Sequence, residues 1–179
     1  ARLALLHRAG RIRTGGTLRH LSIVDSMFAG RISGETAVAG RPAEEVVPEL
    51  CDLLPGIVFH QVTAPHVAAR ADEARRMAEL SPGRIGLKIP CTLENLALAA
   101  RLSDEGLIVG VTAIFSAAQV LLAAAAGARF VLPYVNRSTR LQGDGTGLVR
   151  QMRAVIEAGD GPMTIIAASI KTPDEAVAT

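Results

Sequence analysis

At 179 residues, with 49% hydrophobic and 20% charged side chains, the chain is long enough to bury a real core and too apolar for a disordered segment. A formal net charge of +2, scattered arginines and 3% aromatics argue against a nucleic-acid partner, because base-stacking platforms are few. No apolar run approaches the ~18 residues of a membrane span, and residues 2–13 lack the small-residue cleavage site of a secretory signal, so a cytoplasmic protein with no membrane partner is expected.

In chain order, residues 1–41 give a blurred pattern. Segments 21–26 and 31–36 read as the first two strands, interrupted by Gly15-Gly16 and by arginines. From Pro42 the alternation is clear. Strands are predicted at 57–63, 85–90, 107–114, 130–135 and 163–169, almost continuously apolar as parallel strands covered on both faces should be. Helices are predicted near 43–54, 65–80, 92–105, 116–127 and 145–158, with a last one starting at Pro173. In the second, Val67, Ala71, Ala74 and Ala78 recur at helical spacing while Asp72, Glu73, Arg76 and Glu79 face away. Gly106 and Gly127 stand where helix C-caps belong, and Thr172-Pro173-Asp174-Glu175 reads as an N-cap, a first-turn proline and a capping-box glutamate.

Repeated strand–helix units of about 25 residues imply a parallel sheet in one domain over 1–179, either open and doubly wound or a closed (β/α)₈ barrel. No glycine-rich fingerprint follows an early strand, which weakens the dinucleotide-binding option. Gly143-Asp144-Gly145-Thr146-Gly147 follows an arginine-bearing loop and reads as a flexible loop with a helix cap rather than a phosphate cradle.

In a barrel, functional groups gather at the C-terminal ends of the strands. Those ends hold Gln61, Lys88, Thr112, Tyr134 with Arg137 just beyond, and Ser169. Of nineteen basic residues seventeen are arginines, so Lys88 and Lys171 stand out: only an amine can deprotonate and attack a carbonyl. Lys88 lies inside the apolar run Gly86-Leu87-Lys88-Ile89-Pro90, where burial would lower its pKa as an imine-forming nucleophile requires; the alternative is a lysine that snorkels to solvent. Tyr134, the only tyrosine, could move protons or simply pack at the rim. Arg137 and Ser169 could hold a phosphate through guanidinium fork and hydroxyl, or Arg137 could make a surface salt bridge. Lys171 reads as a loop lysine. His60 and Gln61 are adjacent on a strand, so His60 should face the helices if Gln61 faces the barrel. His60 and His66 pair with no carboxylate at a metal-ligand spacing, His7 and His20 fall in the blurred region, and Cys51 and Cys91 make neither a disulfide framework nor a metal cluster; no metal site is expected.

Several stretches keep the order and spacing of a known family. They are Phe59-His60-Gln61-Val62, Gly86-Leu87-Lys88-Ile89-Pro90-Cys91-Thr92, Thr112-Ala113-Ile114-Phe115-Ser116-Ala117-Ala118-Gln119, Leu132-Pro133-Tyr134-Val135-Asn136-Arg137 and Ala168-Ser169-Ile170-Lys171-Thr172-Pro173. Over residues 38–179 the chain resembles the small transaldolases, in particular their fructose-6-phosphate aldolase branch. The resemblance implies a (β/α)₈ barrel with the Schiff-base lysine, Lys88, on its fourth strand. It also implies phosphate binding by Arg137 and Ser169, a water-positioning Thr112, and a homo-oligomer that needs no cofactor. Gln61 and Tyr134 occupy positions where transaldolases carry glutamate and usually phenylalanine, which points to the aldolase pairing. The expected activity is cleavage or formation of the C3–C4 bond of fructose 6-phosphate, with dihydroxyacetone transfer between sugar phosphates, or sugar-phosphate binding without catalysis, as alternatives.

The chain departs from the family's pattern in three places. Ser33-Gly34-Glu35 stands where a Thr-Thr-Asn-Pro run is expected, and Asp25 resembles the first-strand aspartate but lies too close to Gly30 for a helix between them. Thr179 falls inside the seventh helix, so the eighth strand and helix of the barrel are lacking from this sequence.

Overall fold

The computed structural model describes residues 20–23, 42–159 and 161–179, and for 20–23 only the backbone. Asp25, the expected strand at 31–36 and the Ser33-Gly34-Glu35 run lie outside these residues. The chain divides into two compact units, Ala1–Leu87 and Lys88–Thr179, with the boundary inside a strand.

In the first unit, β1 (His20–Ile23) runs parallel to β2 (Ile57–Gln61), in a register that sets His20 against Ile57 and Ile23 against His60. The expected strand at 21–26 is thus met over its described part. Helix α1 (Ala43–Leu53) buries Ala43, Val46, Val47, Leu50 and Cys51, the apolar stripe of an amphipathic helix. The Arg84 side chain closes its C-terminal end, donating to Cys51 O at 2.7 Å and to Leu54 O, and also to Gly56 O at 3.2 Å in the segment that follows. β3 (Ile85–Pro90) follows directly, at the predicted bounds. Gly86 faces the Phe59 ring of β2 so closely that an added Cβ would stand 2.5 Å from Cε1. Glycine is required there by space, not by backbone conformation.

Helix α2 (Val67–Glu79) buries Ala71, Ala74, Met77 and Ala78. One expectation fails here. Glu73 does not face away; its carboxylate accepts from His60 Nε2 at 2.8 Å and from the backbone N–H groups of Thr63 at 3.0 Å and Ala64 at 2.8 Å. An amphipathic pattern assigns every carboxylate to water, but the β2 terminus offers donors that a half-buried carboxylate satisfies.

The second unit carries the rest of β3 and then α3 (Leu93–Asp104), β4 (Ile108–Ile114), α4 (Ala117–Ala125), β5 (Phe130–Pro133), α5 (Val135–Gln142), α6 (Gly145–Glu157), β6 (Thr164–Ile165) and α7 (Pro173–Ala178). β3, β4, β5 and β6 neighbour one another in that order. β4 and β5 pair in parallel, as do β5 and β6. β4 and β5 are buried nearly throughout, as parallel strands flanked by helices must be, whereas β6 is not. Thr92 caps α3 through Asn95 N, and Ser116 with Gln119 forms a reciprocal capping box on α4. Gly106 and Gly127 follow the C-caps with φ of 81° and 70°, the left-handed conformation that glycine adopts without penalty.

Three expectations change in this unit. The strand predicted over 130–135 ends at Pro133, and Val135–Gln142 is helix rather than an arginine-bearing loop. The strand predicted over 163–169 pairs only at Thr164–Ile165, with an isolated bridge from Tyr134 to Ala168. The capping box at Thr172 is half formed: Thr172 Oγ1 accepts from Glu175 N, but the Glu175 carboxylate turns to Lys171 N and Asn136. The loop at 143–147 matches its reading, with Asp144 capping α6 through Gly147 N at 2.6 Å.

Candidate active site

The strand ends named from the sequence, other than Gln61, all belong to the second unit. Lys88 is 1% exposed, on the face of β3 that carries Gly86 and Pro90. Its amine is pushed down from 10.5 to about 8 by burial, which disfavours the ammonium. The strand end beyond it is fixed by Asn95 Nδ2, which donates to Pro90 O at 3.0 Å, and by Cys91 N, which donates to Thr112 O at 2.9 Å. The second of these bonds sets β4 beside β3.

Thr112 is fully buried, and its hydroxyl has no hydrogen-bond partner among the described residues. Immediately after it the β4–β5 register shifts, and Ala113 takes φ 58°. A bulge at a strand end re-aims the neighbouring side chain, and its cost is tolerated where the aim matters. A buried hydroxyl without a partner suits a site that receives a water or a substrate oxygen.

Tyr134 opens α5. Its buried ring stands edge-on to Phe115, with centroids 5.8 Å apart, and the Arg137 guanidinium lies over it at 4.9 Å. Ser169 joins this group through the backbone. Asn136 N donates to Ser169 O at 3.1 Å and Val135 N to Ala168 O at 2.8 Å, while Ser169 itself holds φ 60°. Tyr134, Arg137 and Ser169 thus meet at the first turn of α5, and Lys88 and Thr112 stand on adjacent strands. Lys171 is exposed, as a loop lysine should be.

Gln61, in the first unit, is 2% exposed, and its side-chain carbonyl has no partner among the described residues. His60 beside it bonds Glu73 of α2, so His60 faces the helices and Gln61 the opposite side of β2, as strand alternation required. Burial would raise the Glu73 carboxyl, but hydrogen bonds from His60, Ala64 and Thr63 together outweigh it and the pKa falls below its usual value.

Sequence reasoning missed three residues here. Ser138, one turn after Tyr134, is fully buried with a hydroxyl that has no partner among the described residues, and Asn136 and Glu175 bond each other at 2.6 Å. Neither Ser138 nor this pair could be found from spacing, because both depend on α5, which was not expected. Among the described residues no group of three or more His, Cys, Asp or Glu side chains could hold a metal ion, and no helix is long and apolar enough to cross a membrane.

Residues 25–179 match the model of the Transaldolase/Fructose-6-phosphate aldolase family. A probable transaldolase of Cereibacter sphaeroides is 40% identical over 136 residues, which is 76% of this chain and 62% of that protein. One from a Caulobacter species is 37% identical over 155 residues, covering 83% of this chain and 71% of the relative. One from Hyphomonas neptunium is 36% identical over 158 residues, covering 85% and 73%. The chain therefore spans under two thirds of the first relative's length and under three quarters of the others'. Among solved structures, a mandelate oxidase aligns with TM-score 0.53 and 14% identity over 74% of this chain and 47% of that one, a likeness of fold alone. The α/β architecture is that of the (β/α)₈ barrels.

Proposed function

We propose, from the premise that this chain belongs to the transaldolase/fructose-6-phosphate aldolase family, that it breaks and makes a carbon–carbon bond of a ketose phosphate through a Schiff base on Lys88. The observation that carries this reading is Lys88 itself, a buried strand lysine with its pKa drawn down to about 8. At pH 7 that leaves roughly a tenth of the side chain as free amine, on the order of 300-fold more than an ordinary lysine.

In this reading the Lys88 amine adds to the C2 carbonyl of fructose 6-phosphate, and the carbinolamine loses water to give an iminium. Removal of the C4 hydroxyl proton sends the C3–C4 bonding pair into the iminium, leaving an enamine and releasing glyceraldehyde 3-phosphate. Protonation of the enamine at C3 and hydrolysis then free dihydroxyacetone and the amine. Tyr134 moves these protons, with water oriented by Gln61 and Thr112, whose side-chain carbonyl and hydroxyl oxygens have no partner among the described residues. Arg137 and Ser169 hold the phosphate.

Cleavage is favoured by Gln61, whose amide orients a water but cannot titrate, and by the phenol of Tyr134, which can. Transfer of the same three-carbon unit to a second aldose is the other reading, favoured by relatives named probable transaldolases. Borohydride reduction in the presence of fructose 6-phosphate should add the mass of the reduced donor at Lys88. Label on Lys171, or none at saturating donor, rules the Schiff base out. Product analysis with and without erythrose 4-phosphate separates cleavage from transfer.

A further inference from the structure

The turn that carries Ser169 is enclosed by a ring of hydrogen bonds that the proposed reaction does not use. Asn136 N donates to Ser169 O at 3.1 Å. Two residues later Lys171 N donates to Glu175 Oε2 at 2.7 Å. Glu175 Oε1 then accepts from Asn136 Nδ2 at 2.6 Å, which closes the ring on the residue where it began. Thr172 Oγ1, accepting from Glu175 N at 3.1 Å, fixes the carboxylate's own backbone.

Ser169 is one of two non-glycine residues among those described that hold a positive φ, here 60°. A serine in that conformation is strained unless its surroundings over-determine it. The ring provides that constraint. It also ties the turn to the residue immediately before Arg137, whose guanidinium is parked on the Tyr134 ring. Two groups that approach one phosphate from different elements need a fixed separation; the backbone bonds to Ala168 O and Ser169 O tie the incoming side of the turn to α5, and the Glu175 carboxylate ties its outgoing side at Lys171 N.

We propose that Asn136 and Glu175 are positioning residues for the oxyanion site of Arg137 and Ser169: their side-chain bond fixes the Ser169 turn relative to Arg137 and so sets affinity for a phosphorylated substrate. Neither side chain touches the phosphate. The role rests on the phosphate reading of Arg137 and Ser169 given above, and its test distinguishes the two.

Calorimetry with inorganic phosphate is run on the wild-type chain and on Arg137→Ala, Asn136→Ala and Glu175→Ala. KM and kcat are measured with fructose 6-phosphate, and borohydride trapping with unphosphorylated dihydroxyacetone reports on Lys88. Asn136→Ala and Glu175→Ala are expected to weaken phosphate binding and raise KM about tenfold, the scale of one lost hydrogen bond at a charged site. kcat should change little and trapping not at all. Asn136→Asp should do worse than Asn136→Ala, because two carboxylates then face each other, and Glu175→Gln in that background should recover binding. If Arg137→Ala leaves phosphate affinity intact, the phosphate reading fails and the positioning role goes with it. If Arg137→Ala abolishes binding while both pair variants bind as wild type, the positioning role alone is wrong. Parallel losses in trapping and KM would likewise overturn it, since they mark general damage to the fold.

Discussion

Lys88 shows one burial acting in opposite directions on chemistry and on stability. Its folded pKa of about 8 lies below the 10.5 of the unfolded chain, so between those values the unfolded state binds more protons. The cost is complete below pH 8, amounts to about 3 kcal/mol, and disappears as pH rises to 10.5. Lys88→Met, close in volume, should therefore abolish borohydride trapping and make the protein more stable at pH 7 by up to that amount. Urea denaturation at pH 7 and at pH 10.5 checks it; an equal gain at both would show that packing, not the ammonium, was relieved. Tyr134→Phe separates two roles in the same way. The ring contacts with Phe115 and Arg137 survive the change, so turnover should fall ~10²-fold with trapping at Lys88 retained. Undiminished turnover would leave Tyr134 a packing residue.

Among the elements, those with local signals were legible and those set by tertiary contacts were not. β3 is legible at its bounds because its apolar run closes on Pro90, and α3 and α4 because Gly106 and Gly127 mark their C-terminal ends. Helix α5 carries no mark at its start. Tyr134, at its N-cap, makes no side-chain cap, and Val135-Asn136-Arg137-Ser138-Thr139 has poor helix formers. What starts it is the bond from Val135 N to Ala168 O, between residues distant in sequence. β6 was overestimated because an apolar run reads as strand, whereas pairing holds only at Thr164–Ile165 and at one bridge from Ala168, just before Ser169 turns left-handed. The site followed the same division: Lys88 was visible by its rarity and apolar setting, while Asn136 and Glu175 required α5 to meet. Gly86→Ala tests β3 as an element. Its new Cβ would press on Phe59 and Ile57 side chains, and overpacking of this kind costs about 1–3 kcal/mol. Chemical denaturation should show that loss, and a neutral result would mean that the Phe59 ring moves aside freely.

For the molecule as a whole, the proposed reaction turns on where its three-carbon enamine goes after the first aldehyde leaves. Water gives cleavage, and a second aldose gives transfer, so the outcome depends on which group delivers the proton and how well water is oriented. Gln61 bears on both. Its side chain is buried, the His60–Glu73 bond holds its neighbour on the opposite face of β2, and its carbonyl has no partner among the described residues. In the proposed reaction an amide there orients water without exchanging a proton, which assigns the exchange to the phenol of Tyr134. A carboxylate at the same position would titrate and compete with the phenol for that role. Gln61→Glu should accordingly raise the ratio of sedoheptulose 7-phosphate to free dihydroxyacetone when fructose 6-phosphate and erythrose 4-phosphate are supplied together. Chromatography of the two products measures it, with borohydride trapping at Lys88 as the control that the nucleophile is intact. If trapping persists and the ratio does not move, Gln61 does not govern the fate of the enamine, and the preference for cleavage loses its main support.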